Sequence, residues 1–312
     1  PRGDGTTLAK ALRGLEAVAQ SCDAREVEQR LGLACNTSGL WQPGSGWLSP
    51  PAVCRALLQQ ERITTEEHCG ELQATRADNG QWEVHNASGV LLGCAPVLIL
   101  ATGSDSGLFP QTRDLPLRVV RGQTTQIPAH PDLPLQTSFC HRGYIVPAVN
   151  GEHCIGATFK PGDSNREIRI DEHCANLEAL TQALPAWKEH LAALDPETLQ
   201  GRAELRCVSP DYLPLAGPLP DDDAFLQRYR PLRWDASQLM AQQGAYQAGL
   251  FISTAHGSRG LSYAALSAEL IAAQIFGEAI PMSRELQRAL CPARFLIRDL
   301  IRGKSRPQAA SA

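Results

Sequence analysis

Four residues near the C-terminal end, Gly257-Ser258-Arg259-Gly260, stand between two segments of opposite character. Before them, Leu250–Thr254 is a β-rich apolar run; after them, Leu261–Ile275 has the composition and apolar spacing of a buried helix. A strand, a glycine turn and a helix start align free backbone N–H groups, ending at Leu261, at the positive end of the helix dipole. Such a row suits an anionic or electron-rich cofactor edge, and it also suits a plain loop-to-helix corner. His256, beside the turn, reads as structural. A second segment, PVLILATG (Pro96 to Gly103), is a hydrophobic strand ending in Ala101-Thr102-Gly103.

Two groups of cations carry further chemistry. Arg206 lies between apolar Leu205 and Cys207, where an arginine is costly to bury without a partner. Its planar fork matches both oxygens of a carboxylate, and Asp211 is an internal candidate. Residues 281–312 hold seven basic side chains against two acidic ones. Arg294, Arg298 and Arg302 follow at i, i+4 and i+8, with Lys304 just beyond, so a helix there presents one basic ridge. The ridge fits a phosphate backbone, or simply a solvated helix face.

Elements able to position these groups follow from pattern. With 312 residues, 43% apolar and 20% charged, the chain has room for two packed domains. A net charge of -4 gives no global attraction to nucleic acid. Ten cysteines show no CxxC pair and no metal-ligand cluster, which points to free thiols, a reducing cytoplasm and no metal. The longest apolar run, Val90 to Ala101, is interrupted by Gly93 and Pro96 and is too short to span a membrane. Helical spacing marks 7–20, 24–31, a segment opened by Pro51 and the stretch 168–194. A meander is expected over 71–102, antiparallel strands over 117–159, a strand and turn over 204–215 and an acidic loop over 218–226.

These segments resemble the flavoprotein oxidoreductases of the D-amino-acid/glycine oxidase family. The resemblance runs from about residue 39 to about residue 304 and is carried by GLWQPGSGWLSPPAVCRALL, PVLILATG, RGQTTQIP, GYIVPAVNGEHCIGATFKPGD, LRCVSPDYLPLAGPLPD, AHGSRGLSYAALSAELIAAQIFGE and CPARFLIRDLIRGK. It implies an α/β (α+β) fold: a Rossmann-like FAD-binding domain of the D-amino-acid oxidase type, plus an antiparallel-sheet substrate domain. The FAD domain would take residues 51–112 and 245–280, and the substrate domain 1–50 and 113–244. A basic helical extension (281–304) and a disordered tail (305–312) follow. Ala101, Thr102, Gly103 and Gly257 to Leu261 would contact FAD. Arg206 would hold a substrate carboxylate, with Arg259 and Tyr144 close by. Trp41 and Trp47 read as loop anchors.

The GSRGL block and the PARFLIR ending are most similar to a branch that oxidises a modified tRNA wobble uridine. That branch implies FAD, tRNA, O2 as electron acceptor and a methyltransferase half in a longer parent. An oxidase of free glycine or sarcosine, and a remnant that binds no flavin, are the alternatives. One departure stands out. The family's Gly-x-Gly-x-x-Gly turn is not found: Gly44 and Gly46 are followed by Trp-Leu-Ser-Pro. The chain therefore reads as a piece whose flavin domain is incomplete at the N-terminus.

Overall fold

A computed structural model describes residues 12–240 and 244–303. It divides into two compact units, Pro1–Ile63 with Arg121–Leu205, and Thr64–Val120 with Arg206–Ala312. In chain order the elements begin with β1 (Gln20–Cys22), α1 (Ala24–Leu31), β2 (Gly39–Trp41), α2 (Pro50–Leu58), β3 (Leu72–Arg76), β4 (Trp82–Asn86), β5 (Leu91–Ala95) and β6 (Leu98–Leu100). They continue with β7 (Arg118–Pro128), β8 (Phe139–Cys140), β9 (Tyr144–Ile145), β10 (Glu152–Gly156), β11 (Lys160–Pro161), α3 (Ile170–Ala183) and α4 (Lys188–Ala192). Last come β12 (Gly201–Val208), β13 (Leu215–Pro220), α5 (Asp222–Tyr229), β14 (Tyr246–Thr254), α6 (Gly260–Phe276), α7 (Arg284–Leu290) and α8 (Arg294–Ile301).

The first unit is an antiparallel sheet with helices on one face. Its strands run β11-β7-β10-β9-β8, and β12 also pairs with β7. Period-two alternation buries Gln123, Thr125 and Ile127 of β7. Thr125 and His173 of α3 meet at 2.8 Å, so this face of β7 looks onto α3. Ile127, Ile145 and Ile155 form a core with Leu180, Leu184 and Trp187. α1 starts at a capping box in which Asp23 and Glu26 each bond the other's backbone N–H.

Polar atoms at the end of this sheet are fully enclosed. Arg121 and Glu172 are both 0% exposed and pair at 2.8 Å. The remaining Arg121 donors reach Gln123 Oε1 and the carbonyls of Asn165 and Glu167. Glu172 also accepts from the Thr158 hydroxyl and lies 3.3 Å from Lys160 Nζ. Burial alone would push the Glu172 carboxyl up; the hydrogen bonds from Thr158, Arg121 and Lys160 outweigh it and hold the carboxyl down. The pair thereby ties β7 to α3 and to the loop that enters α3.

The second unit joins two three-stranded sheets. β3, β4 and β5 form the expected meander, antiparallel throughout. In the other sheet β13 is antiparallel to β14, and β14 is parallel to β6, with Leu250 opposite Leu98 and Ile252 opposite Leu100. Leu100, Leu215, Leu219, Leu250, Ile252 and Phe295 form the core. Trp82 joins the two sheets, its indole N–H donating to Ala248 O at 3.0 Å.

Four sequence expectations change. Residues 12–18 are successive turns rather than helix, and 7–11 lie outside the described residues. Apolar spacing alone did not stabilise a helix there, because Gly14 adopts φ +80°. The acidic stretch is not a loop but the start of α5: Asp221 caps it by accepting from Ala224 N–H, and Asp222 and Asp223 occupy the first turn. Carboxylates are favoured there by the helix dipole. α6 is buried only along its later part, at Ser267, Leu270, Ile271 and Ala273, while Leu261 and Leu266 are exposed. The basic extension is two short helices, α7 and α8, and 304–312 lie outside the described residues.

Candidate active site

Because β6 and β14 are parallel neighbours, their C-terminal ends deliver Ala101-Thr102-Gly103 and the 255–260 turn to one place. Thr254 fastens them. Its hydroxyl donates to Gly103 O at 2.9 Å and accepts from Ser106 Oγ at 3.2 Å; Thr102 Oγ1 lies 3.1 Å from Ser106 Oγ. Thr254 and Ser106 are both buried. Neither was singled out from sequence, since the pairing partners lie 148 and 151 residues apart.

A third segment reaches the same node. Cys207 Sγ lies 3.6 Å from Thr254 Oγ1, and Cys207 O accepts the Gly257 N–H at 2.8 Å. Val208 bridges His256. Arg206, half-buried on β12, is therefore one residue from the glycine turn's anchor. Asp211 engages a different arginine, as described below.

The turn itself is built for close approach. Gly103 and Gly257 have φ +57° and +58°, in the left-handed region. A Cβ at Gly103 would meet nothing within 4 Å, so open space lies over that backbone, whereas at Gly257 it would sit 3.2 Å from Val208 Cγ1. The N–H groups of Ser262 and Tyr263 turn back to Arg259 O, leaving those of Gly260 and Leu261 outside the helix ladder. Ala101, Thr102, Ser258, Arg259 and Leu261 are exposed there. Arg259 Nη1 donates to Tyr263 OH at 3.1 Å. His256 Nε2 lies 3.3 Å from Ser267 Oγ, and burial pushes its imidazole down toward the neutral form, in keeping with a structural role.

Tyr144 belongs to the first unit. It pairs with Gly156 across β9 and β10, and its hydroxyl and that of Thr124 hydrogen-bond the Cys154 thiol. Burial pushes that thiol up. This face of the sheet is opposite to the one carrying Ile145 and Ile155 into the core.

The basic ridge is smaller than its spacing suggests. Arg294 grips Asp211 with both arms of its fork, Nε at 2.9 Å and Nη2 at 2.8 Å, and also donates to the carbonyls of Leu213 and Pro214. It is a structural clamp between α8 and the β12–β13 turn. Arg298 is half-buried against the Phe295 ring at 4.5 Å, Arg302 is exposed, and Lys304 lies outside the described residues. Trp41 lies on β2 rather than in a loop and is covered by Arg30 at 4.6 Å. All ten cysteines are free thiols. Among the described residues no His, Cys, Asp and Glu cluster suits a metal, and no helix is long and apolar enough to cross a membrane.

A family model described as "FAD dependent oxidoreductase" (DAO) matches residues 4–274. The chain belongs to the FAD-dependent oxidoreductase family. The tRNA 5-methylaminomethyl-2-thiouridine biosynthesis bifunctional protein MnmC of Ectopseudomonas mendocina is 42% identical over 285 residues, covering 90% of this chain and 43% of that one. Its counterpart in Pseudomonas syringae pv. tomato is 40% identical over 291 residues, 92% of this chain and 44% of that one. The chain thus spans less than half the length of these relatives. Glycine oxidase from Geobacillus kaustophilus superposes with a TM-score of 0.68 at 20% identity, covering 93% of this chain and 70% of that one. L-proline dehydrogenase from P. horikoshii gives 0.68 at 14%, over 97% and 76%. The fold of this FAD-dependent oxidoreductase is thus the mixed helical and antiparallel-sheet fold of the amino-acid oxidases.

FAD fits part of what the chain offers. Open space over Gly103, the bare N–H row at Gly260 and Leu261, and the common strand end suit the flavin. Gly44 and Gly46 do not supply the pyrophosphate turn: they precede α2, whose first turn holds two prolines and so lacks two N–H donors.

Proposed function

We propose that this chain is the flavin-dependent oxidising part of a cytoplasmic enzyme that removes the carboxymethyl group from carboxymethylaminomethyl-(2-thio)uridine at the tRNA wobble position. The carrying observation is the meeting of Gly103, Cys207 and Gly257 at Thr254, in a chain 40–42% identical to proteins named for 5-methylaminomethyl-2-thiouridine biosynthesis. Ala101 to Gly103 and Gly257 to Leu261 would hold FAD. Bound there, FAD supplies a two-electron acceptor for the C–H beside the substrate carboxylate. The Arg206 fork would hold that carboxylate and so fix which C–H is presented, with Arg259 as a second cation. Loss of hydride leaves an imine between the glycine carbon and its nitrogen. Water then opens it to glyoxylate and the aminomethyl uridine. His256, held near Ser267 and made a weaker base by burial, would keep a structural role. O2 would accept the electrons, and a methyltransferase half would accompany this part in the parent protein.

Arg298, Arg302 and Lys304 would contact the tRNA backbone. Arg294's engagement on Asp211 leaves fewer cations for RNA, which favours a second reading, an oxidase of free glycine or sarcosine. Glyoxylate release, measured with FAD and either modified tRNA, glycine or sarcosine, separates the two. Release from tRNA alone supports the first reading; release from the free amino acids alone overturns it.

A further inference from the structure

The β8–β9 hairpin, the end of β10 and one side of α3 enclose a cavity of about 170 Å³, lined by His141, Arg142, Tyr144, Thr158 and Asn176 among others. That is ample room for a small oxyanion. Its polar atoms differ in how well they are satisfied. The Thr158 hydroxyl accepts from Gln123 N–H and donates to Glu172. Asn176 Nδ2 donates to Gln123 O and to Thr125 Oγ1, both at 3.0 Å.

His141 is different. Gly143 N–H donates to its Nδ1 at 3.3 Å, so Nδ1 is the acceptor and the neutral ring carries its proton on Nε2. Burial pushes this imidazole down, toward that neutral form. Nε2 is buried and has no hydrogen-bond partner. A buried donor without an acceptor costs about 1–3 kcal/mol, and a ligand oxygen would remove that cost. Beside it, Arg142 is exposed and makes no ion pair or hydrogen bond among the described residues. Acidic Glu172, the nearest buried carboxylate along α3, is already engaged by Arg121, Lys160 and Thr158.

We propose that this cavity is an oxyanion subsite, in which His141 Nε2–H gives a directed hydrogen bond and the Arg142 guanidinium gives the charge. The group it takes is a carboxylate or a phosphate: one source is the small carboxylic acid of the proposed reaction, the other an RNA backbone phosphate. The subsite rests on the proposed function only for which of these fills it. Both present two or more oxygens to a planar fork and a single N–H.

The test is an NMR titration of the whole chain, reading the His141 Nε2–H and Arg142 Nε–H signals, with no turnover required. The probes are sodium glyoxylate, inorganic phosphate and an unmodified anticodon stem-loop RNA. Saturable shifts at both residues are expected with at least one probe. Glyoxylate alone acting identifies the carboxylate source, and phosphate with the stem-loop identifies the backbone. Arg142→Gln, an exposed change that leaves the core intact, should weaken binding about tenfold or more. His141→Phe, which keeps the stacking on Phe139 (centroids 5.7 Å apart), should do the same. No shift with any of the three probes, or wild-type affinity in both variants, overturns the proposal. Since flavin and turnover are not involved, a failure here leaves the proposed oxidation standing, and a failed oxidation leaves this binding measurable.

Discussion

The hydroxyl of Thr254 donates to the carbonyl of Gly103 at 2.9 Å, which ties the end of β14 to the end of β6 across 151 residues of sequence. Cys207, at 3.6 Å from the same hydroxyl, brings the Arg206 strand to the junction. A polar node this buried has to be satisfied, and it is. Its consequence is that the two loops proposed to hold FAD and the strand that carries Arg206 depend on one side chain.

Thr254→Val keeps the shape and removes the hydroxyl, leaving Gly103 O and Ser106 Oγ each short of a partner. The cost should be about 1–3 kcal/mol in urea unfolding, with weaker FAD binding, and Thr254→Ser should restore most of both. A Val variant as stable as wild type would show that the node does not hold the loops together.

Arg121→Ala should destabilise the first unit by about 3–5 kcal/mol, because it leaves Glu172 buried without its main partner. Glu172→Gln should cost less than Arg121→Ala, since Gln can still accept from Thr158 while Arg121 keeps Gln123 and two carbonyls. Thermal unfolding of both variants checks the order.

Asp211 gives a pH dependence. Burial pushes its carboxyl up, but hydrogen bonds from Arg294, Ser209 and Leu213 N–H outweigh this and bring it from 3.8 down to about 2. The folded value is the lower one, so between these two pH values the unfolded chain binds more protons. The stability from this site is therefore present above the unfolded value and is lost as pH falls from about 4 toward 2. Asp211→Asn should be less stable than wild type near neutrality, and the gap should close across that window. A gap that stays constant down to pH 2 would contradict the clamp.

The two glycine turns and the elements that carry them were legible in the sequence, for a physical reason. Gly257 and Gly103 adopt positive φ, which glycine advertises, and strand-turn-helix periodicity survives without tertiary information. The meander and the antiparallel sheet were readable in the same way. What failed were readings of polar residues whose meaning depends on a distant partner. Asp221 looked like loop and is a cap; Arg294 gave no sign of its grip on Asp211, 83 residues away. Arg121, in RGQTTQIP, gave no sign of being fully buried, because Glu172 lies 51 residues on. α6 looked buried throughout from its composition, yet its first turns are exposed.

The clamp also divides the C-terminal arginines into two classes. Arg298→Glu with Arg302→Glu should weaken tRNA binding and lower its salt slope by about one unit per lost phosphate contact. Arg294→Glu should instead reduce stability, by placing a carboxylate against Asp211. Filter binding across a salt series, beside thermal unfolding, separates the classes; an unchanged salt slope in the double variant would remove the RNA contact.

The most direct measurement is glyoxylate released from carboxymethylaminomethyl-modified tRNA by FAD-supplied wild type and Arg206→Ala, with FAD affinity measured in parallel. The account predicts glyoxylate from wild type, none above background from Arg206→Ala, and equal FAD affinity in both. Equal release by the two proteins, or no release from wild type that has bound FAD, would contradict it.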